Sequence, residues 1–218
     1  MYALVVQALV LVQPVPRIAI AGAHGGLGRE LTQQSLDKNW QTIGLVRRKD
    51  PIIKPFRNGW LEDTGKDESE INSNMLNIVL YDSLFTERTL EYDYLVFCLS
   101  GTPFQKDYTD LIVDFMCRSL PASCKKVCLV SALGVGDSIK GANVGIQIMS
   151  DWYLKDVYRA KNKQEKIVSS ILDRETIILR PNALSYGKVP YNNACTPRQK
   201  LAEDILDWFE GSVDLLPY

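Results

Sequence analysis

Apolar residues along this chain fall into short continuous runs that alternate with stretches of helical spacing. Arg17–Ala21 is the first clear run, and Thr42–Val46, Asn77–Tyr81, Tyr94–Leu99, Lys126–Ser131 and Thr176–Leu179 repeat its character. Runs of this length, with no polar face, suit strands buried on both sides. Between them the apolar positions recur every three or four residues. They predict helices over Gly26–Asp37, Thr109–Leu120, Gln147–Ile171 and Pro197–Phe209, the last with Leu201, Ile205, Trp208 and Phe209 on one face. Alternation of strand and helix predicts an α/β fold: a doubly wound, mostly parallel sheet with helices on both faces. There is no internal repeat, low-complexity tract or break in composition, so a single domain is expected.

Two segments stand outside this pattern. Met1 to Pro16 is apolar over Tyr2–Val12 apart from Gln7 and ends in the breaker Pro14-Val-Pro16. It is too short to span a bilayer and lacks the basic start and cleavage site of a secretory signal, so it reads as an N-terminal extension preceding a domain over residues 17–218. A membrane or organelle role is the alternative. Residues 49–76 form a polar insertion with Pro51, Pro55, Gly59 and an acidic cluster over Glu62–Glu70. Insertions of this length are commonly functional or disordered, and this one offers a surface for a protein partner.

Composition narrows the class. The 218 residues are 46% hydrophobic and 23% charged, enough to bury a substantial core. A net charge of −1 gives no electrostatic basis for binding nucleic acid or an anionic membrane. Five cysteines (Cys98, Cys117, Cys124, Cys128 and Cys195) make no C-x-x-C pair and read as reduced thiols in a cytoplasmic protein. The single histidine, His24, argues against a histidine-based metal site, and no metal is expected.

The segment from Gly22 to Gly28 carries the chemistry. It lies between the first strand and the first helix, the context in which a glycine triplet holds a dinucleotide in a Rossmann-type fold. Gly22 permits a sharp turn off the strand, Gly25 and Gly26 admit a pyrophosphate to backbone N–H groups, and Gly28 allows close helix–sheet packing. Leu27 shares the opening turn of the helix, whose positive end faces the phosphates. His24 is read as shaping the loop. After the second strand stand Arg47-Arg48, where NAD enzymes tend to carry an acid for the adenosine ribose. Two guanidinium groups suit a 2′-phosphate, so NADP is favoured and NAD is the alternative. A solvated basic pair is the competing explanation. Asp82 is placed to bond the adenine amino group or to cap a helix. Ser100-Gly101-Thr102 either touches the cofactor or is an ordinary turn.

Leu129–Ser138, the helix segment Val157–Glu165, the strand ending in Arg180-Pro181, and Thr196–Ile205 together resemble the atypical short-chain dehydrogenases/reductases. The resemblance is to their NmrA-like and NAD(P)H-flavin reductase-like branch, with biliverdin reductase B as a cousin, and it covers most of Arg17 to Phe209. It implies that Ser131 occupies the place of the substrate-orienting serine and Lys161 that of the lysine bonding the nicotinamide ribose. Classical members place a proton-donating tyrosine four residues before that lysine, and here the position holds Val157. Tyr158 and Tyr153 are the nearby substitutes. The competing readings put Lys161 on a solvated helix face, paired with Glu165, and Ser131 at the end of a buried strand. Met149, Trp152 and Tyr186 read as core or pocket wall, and Arg180-Pro181-Asn182 departs from the usual Arg-Pro-Gly.

The resemblance implies NADPH-dependent reduction of a flavin, quinone or similar flat acceptor, since such acceptors take a hydride without a dedicated tyrosine acid. The alternative is a catalytically weak NADP(H)-sensing scaffold that engages a protein through the acidic insertion. Carbonyl reduction through Tyr158 or Tyr153, or epimerisation of a nucleotide sugar, ranks third.

Overall fold

The computed structural model describes residues 14–47, 75–81, 90–101, 108–141, 152–185 and 195–214. The N-terminal segment before Pro14, the insertion through Asn74, and Arg48, Asp82, Thr102, Met149 and Tyr186 lie outside the described residues.

β1 (Arg17–Ala21) shows why the apolar runs become central strands: Ile18, Ala19, Ile20 and Ala21 are all fully buried, so both faces of the strand are covered. The chain continues through α1 (Gly26–Asp37), β2 (Gln41–Val46), β3 (Leu76–Leu80), β4 (Tyr94–Phe97), α2 (Thr109–Arg118) and β5 (Lys126–Val130). It then forms α3 (Lys155–Ser169), β6 (Glu175–Leu179), β7 (Ala183–Ser185), β8 (Cys195–Pro197) and α4 (Arg198–Glu210). Six strands pair in the order β3-β2-β1-β4-β5-β6, every pair parallel. This is the doubly wound Rossmann arrangement, and the expected α/β class holds. β7 and β8, absent from the sequence-based expectation, form a separate parallel pair. Each has only three residues, too few to show a periodicity.

Two apolar layers sandwich the sheet. Leu27 and Leu31 of α1 join Leu201, Ile205 and Phe209 of α4 over one face, against Ile18, Ile20, Val96 and Val130. On the other face Val113 and Met116 of α2 and Val168 of α3 cover Ala19, Leu45, Phe97 and Leu129. Two polar contacts fix α3 against the start of α2. Lys163 Nζ meets Asp110 Oδ2 at 2.9 Å, and Gln164 Nε2 donates to Thr109 Oγ1 at 2.5 Å.

One expectation is corrected. Trp152, expected in core or pocket wall, is 89% exposed, because apolar spacing cannot tell a residue bound for the core from one left in solvent. The α-helix that carries Lys161 begins at Lys155, and the first part of the expected helix, from Gln147, lies outside the described residues.

Candidate functional site

Strand order reverses between β1 and β4, since β2 and β3 lie on one side of β1 while β4, β5 and β6 lie on the other. The loops leaving the carboxyl ends of β1 and β4 therefore part, and a crevice opens there. The glycine loop leaves β1 at this point. Gly22 has φ +93°, and a Cβ on it would lie 2.8 Å from the Cys98 carbonyl oxygen at the end of β4. Both the conformation and the space demand glycine. A Cβ on Gly28 would overlap the Gly22 carbonyl oxygen and lie 2.8 Å from Ala23 Cα, so α1 packs directly on the turn.

Within the loop the Gly25 N–H is already used, donating to the Gly22 carbonyl at 2.9 Å. The first intrahelical bond runs from Arg29 N to the Gly25 carbonyl at 2.9 Å. The N–H groups offered to an anion are thus those of Gly26, Leu27 and Gly28, in the opening turn of α1. No side chain caps that turn and no acidic residue stands in it. The Leu27 side chain is core, 4% exposed. His24 is half-buried, and its carbonyl accepts from Arg29 Nε at 3.1 Å, which braces the loop.

Around the crevice, Arg47 follows β2 and is exposed, one residue beyond the last β2–β3 pair, Val46 and Leu80. Tyr81, equally one residue beyond that pair, is buried, and its hydroxyl has no hydrogen-bond partner among the described residues. Burial pushes that phenol well above its ordinary range, with the Arg47 charge pulling the other way. Sequence reasoning missed Tyr81 because an aromatic residue at a strand end looks like core. Ser100, exposed, donates to the Gly101 carbonyl at 3.3 Å, and Gly101 is half-buried just past β4.

α3 supplies the opposite wall. Tyr158, Lys161 and Glu165 are three and then four residues apart and share one face of the helix. Lys161 is 7% exposed, and its Nζ donates to the Val130 carbonyl at 3.1 Å and the Leu99 carbonyl at 3.3 Å. It therefore bridges the ends of β4 and β5 and is not on a solvated face. Ser131, next after Val130, is 5% exposed and its Oγ has no partner among the described residues. The structure so brings Ser131 and Lys161 together. The Tyr158 hydroxyl instead donates to the Leu133 carbonyl at 2.9 Å, and burial raises its pKa. Tyr153 is half-exposed ahead of the helix. Glu165 does not pair with Lys161: it takes Arg180 Nε at 3.0 Å and Arg180 Nη2 at 2.7 Å.

The buried thiols are poorly suited to react. Burial pushes Cys98 up to about 12, with the Lys161 charge pulling the other way, and pushes Cys117 and Cys124 up to about 12 as well. Among the described residues no three His, Cys, Asp or Glu group to hold a metal ion, and no helix is long and apolar enough to cross a membrane.

The residues fit a dinucleotide. A Cβ would close the glycine cradle, the opening turn of α1 presents uncapped N–H groups, and an unpartnered serine hydroxyl lies buried beside a lysine. Known proteins agree with the geometry. ChuY, an anaerobillin reductase of Escherichia coli O157:H7, is 16% identical with a TM-score of 0.60, over 88% of this chain and 89% of that one. A wide-type short-chain dehydrogenase/reductase of Veillonella parvula, solved with NADP, is 14% identical with a TM-score of 0.65, over 91% and 88%. A candidate NADH-flavin reductase of Streptococcus pneumoniae is 12% identical with a TM-score of 0.58, over 91% and 95%. No curated protein sequence matches the chain. These neighbours share its fold. The sequence profile of the NAD(P)H-binding family matches residues 22–204, and the chain belongs to that family.

Proposed function

We propose that this protein is an NADPH-dependent reductase of a small, flat acceptor of the flavin or quinone type. One observation carries the reading: the crevice joins a buried lysine and serine, while the nearest helical tyrosine commits its proton to the Leu133 carbonyl. Val157 holds the position four residues before Lys161 and has no proton to give. Such a site is equipped to position reactants and poorly equipped to protonate an alkoxide.

When bound, the nicotinamide supplies a hydride to the acceptor. The opening turn of α1 would hold the pyrophosphate, and Arg47 would meet the 2′-phosphate of the adenosine ribose. Lys161, fixed by two carbonyls, would bond the nicotinamide ribose, and Ser131 would direct its hydroxyl to the nicotinamide carboxamide or the acceptor. The acceptor takes its proton from water, which a flat conjugated ring can do because the added charge is delocalised over it. The neighbouring anaerobillin reductase and candidate flavin reductase support an acceptor of this shape.

The test is NADPH oxidation with FMN, FAD and a small quinone, in wild type and in Tyr158→Phe and Tyr153→Phe. Turnover that survives both substitutions supports the reading. Turnover abolished by Tyr158→Phe in a folded variant assigns the proton to Tyr158 and returns the protein to carbonyl-type chemistry. NADPH binding with no turnover of any acceptor points to the sensing scaffold instead.

A further inference from the structure

Loop Ser131–Ser138, which leaves the carboxyl end of β5 beside the crevice and on the proposed reading faces the acceptor, is held at several points. The Ser131 N–H donates to the Leu179 carbonyl at 2.7 Å and the Leu133 N–H to the Pro181 carbonyl at 3.0 Å, both at the end of β6. The Tyr158 hydroxyl takes the Leu133 carbonyl from α3. Ser138 Oγ accepts from the Gly134 N–H at 2.8 Å and donates to the Val135 carbonyl at 2.6 Å, closing the turn on itself.

Beneath the far half of the turn lies an ion pair the reaction does not use. Glu165 is 6% exposed, and both its oxygens take the Arg180 fork, at 3.0 and 2.7 Å. Gly136 rests directly on this pair. It has φ +60°, and a Cβ there would lie 2.9 Å from Glu165 Oε2 and 3.6 Å from Arg180 Nη2. The contact is too close for any side chain, so backbone and carboxylate meet without one. A bidentate arginine–carboxylate pair has fixed planar geometry, which a single ammonium contact lacks. Glu165 also stands four residues beyond Lys161 on the same helix face, so one face of α3 fixes both the cofactor-side lysine and the acceptor-side turn.

We propose that Glu165 and Arg180 are positioning residues: their fork supports Gly136, fixes the Leu133–Ser138 turn, and so sets acceptor binding without contributing to cofactor affinity. This rests on the reductase reading for the identity of the acceptor.

The experiment compares wild type with Glu165→Gln, Arg180→Met and the conservative Arg180→Lys. It measures NADPH affinity by fluorescence, KM and kcat with FMN, and amide hydrogen exchange. In Glu165→Gln and Arg180→Met, KM for FMN rises about tenfold and NADPH affinity stays within about twofold. Exchange speeds up over residues 133–138 while β1, β4 and β5 keep their protection. Arg180→Lys recovers part of the KM but not all, since it restores charge without the fork. Unchanged exchange at 133–138, or an unchanged KM, overturns the proposal. Parallel loss of NADPH affinity and sheet protection also overturns it, because the pair would then serve the fold as a whole. A wild type that binds NADPH but turns over no acceptor overturns the reductase reading and the acceptor role together. Exchange at 133–138 would still show whether the pair holds the turn.

Discussion

The Lys161 ammonium donates to the Val130 carbonyl 3.1 Å away, immediately before Ser131, and so ties the cofactor-side helix to the strand that carries the serine. A buried ammonium with backbone partners keeps its position before any ligand arrives, which is the form of preorganisation that binding a ribose requires.

Replacing Lys161 with Met should therefore weaken NADPH binding by about tenfold or more, equal to roughly 1.4 kcal/mol. The loss should be selective. 2′,5′-ADP lacks the nicotinamide ribose and should bind the variant as it binds wild type. Equal weakening of both ligands would place Lys161 elsewhere than at that ribose.

On the proposed reading, Arg47 meets the other end of the cofactor. It is exposed beyond β2, where a 2′-phosphate carries charge that a guanidinium can take up in two hydrogen bonds. Arg47→Ala should lower NADPH affinity about ten- to hundredfold and leave NADH affinity within about twofold. Titration of both nucleotides into both proteins decides it, and an unchanged NADPH-to-NADH ratio would remove Arg47 from the site.

Buried phenols and thiols set the alkaline limit of stability. Burial raises Tyr81, Tyr92, Tyr94 and Tyr158 above the ordinary phenol value of 10.0, and raises Cys98, Cys117, Cys124 and Cys128 above the thiol value of 9.0. A group whose pKa is higher in the folded than in the unfolded chain stabilises the fold fully below the unfolded value. That contribution is lost as pH rises toward the folded value. The urea midpoint should thus hold steady approaching pH 9 from below and fall progressively above it. A midpoint unchanged between pH 8 and pH 10.5 would contradict the burial of these groups.

Much of this architecture was legible in the sequence, and the reasons are local. The six strands of the main sheet and α1 announce themselves through apolar runs and helical spacing, because parallel strands covered on both faces leave little room for polar residues. The glycine loop is equally plain, since each of Gly22 and Gly28 answers a steric demand that no other residue meets. What stayed hidden depends on contacts distant in sequence. The Glu165–Arg180 fork spans fifteen residues, and Glu165 had a nearer apparent partner in Lys161. Nothing in the spacing reveals that Lys161 is occupied by two strand-end carbonyls. Tyr158 looked like a displaced acid until its hydroxyl was found on Leu133. The β7–β8 pair is too short for periodicity, and Trp152 stays in solvent where its apolar character pointed to core or pocket wall.

The most direct test of the central claim is a fluorescence titration of the wild-type protein with NADPH, followed by addition of FMN to the saturated complex. Saturable binding, then loss of nicotinamide fluorescence as FMN is reduced, is the predicted result. The absence of saturable NADPH binding would contradict the account at its base, because the glycine loop and the buried Lys161 would then serve the fold alone.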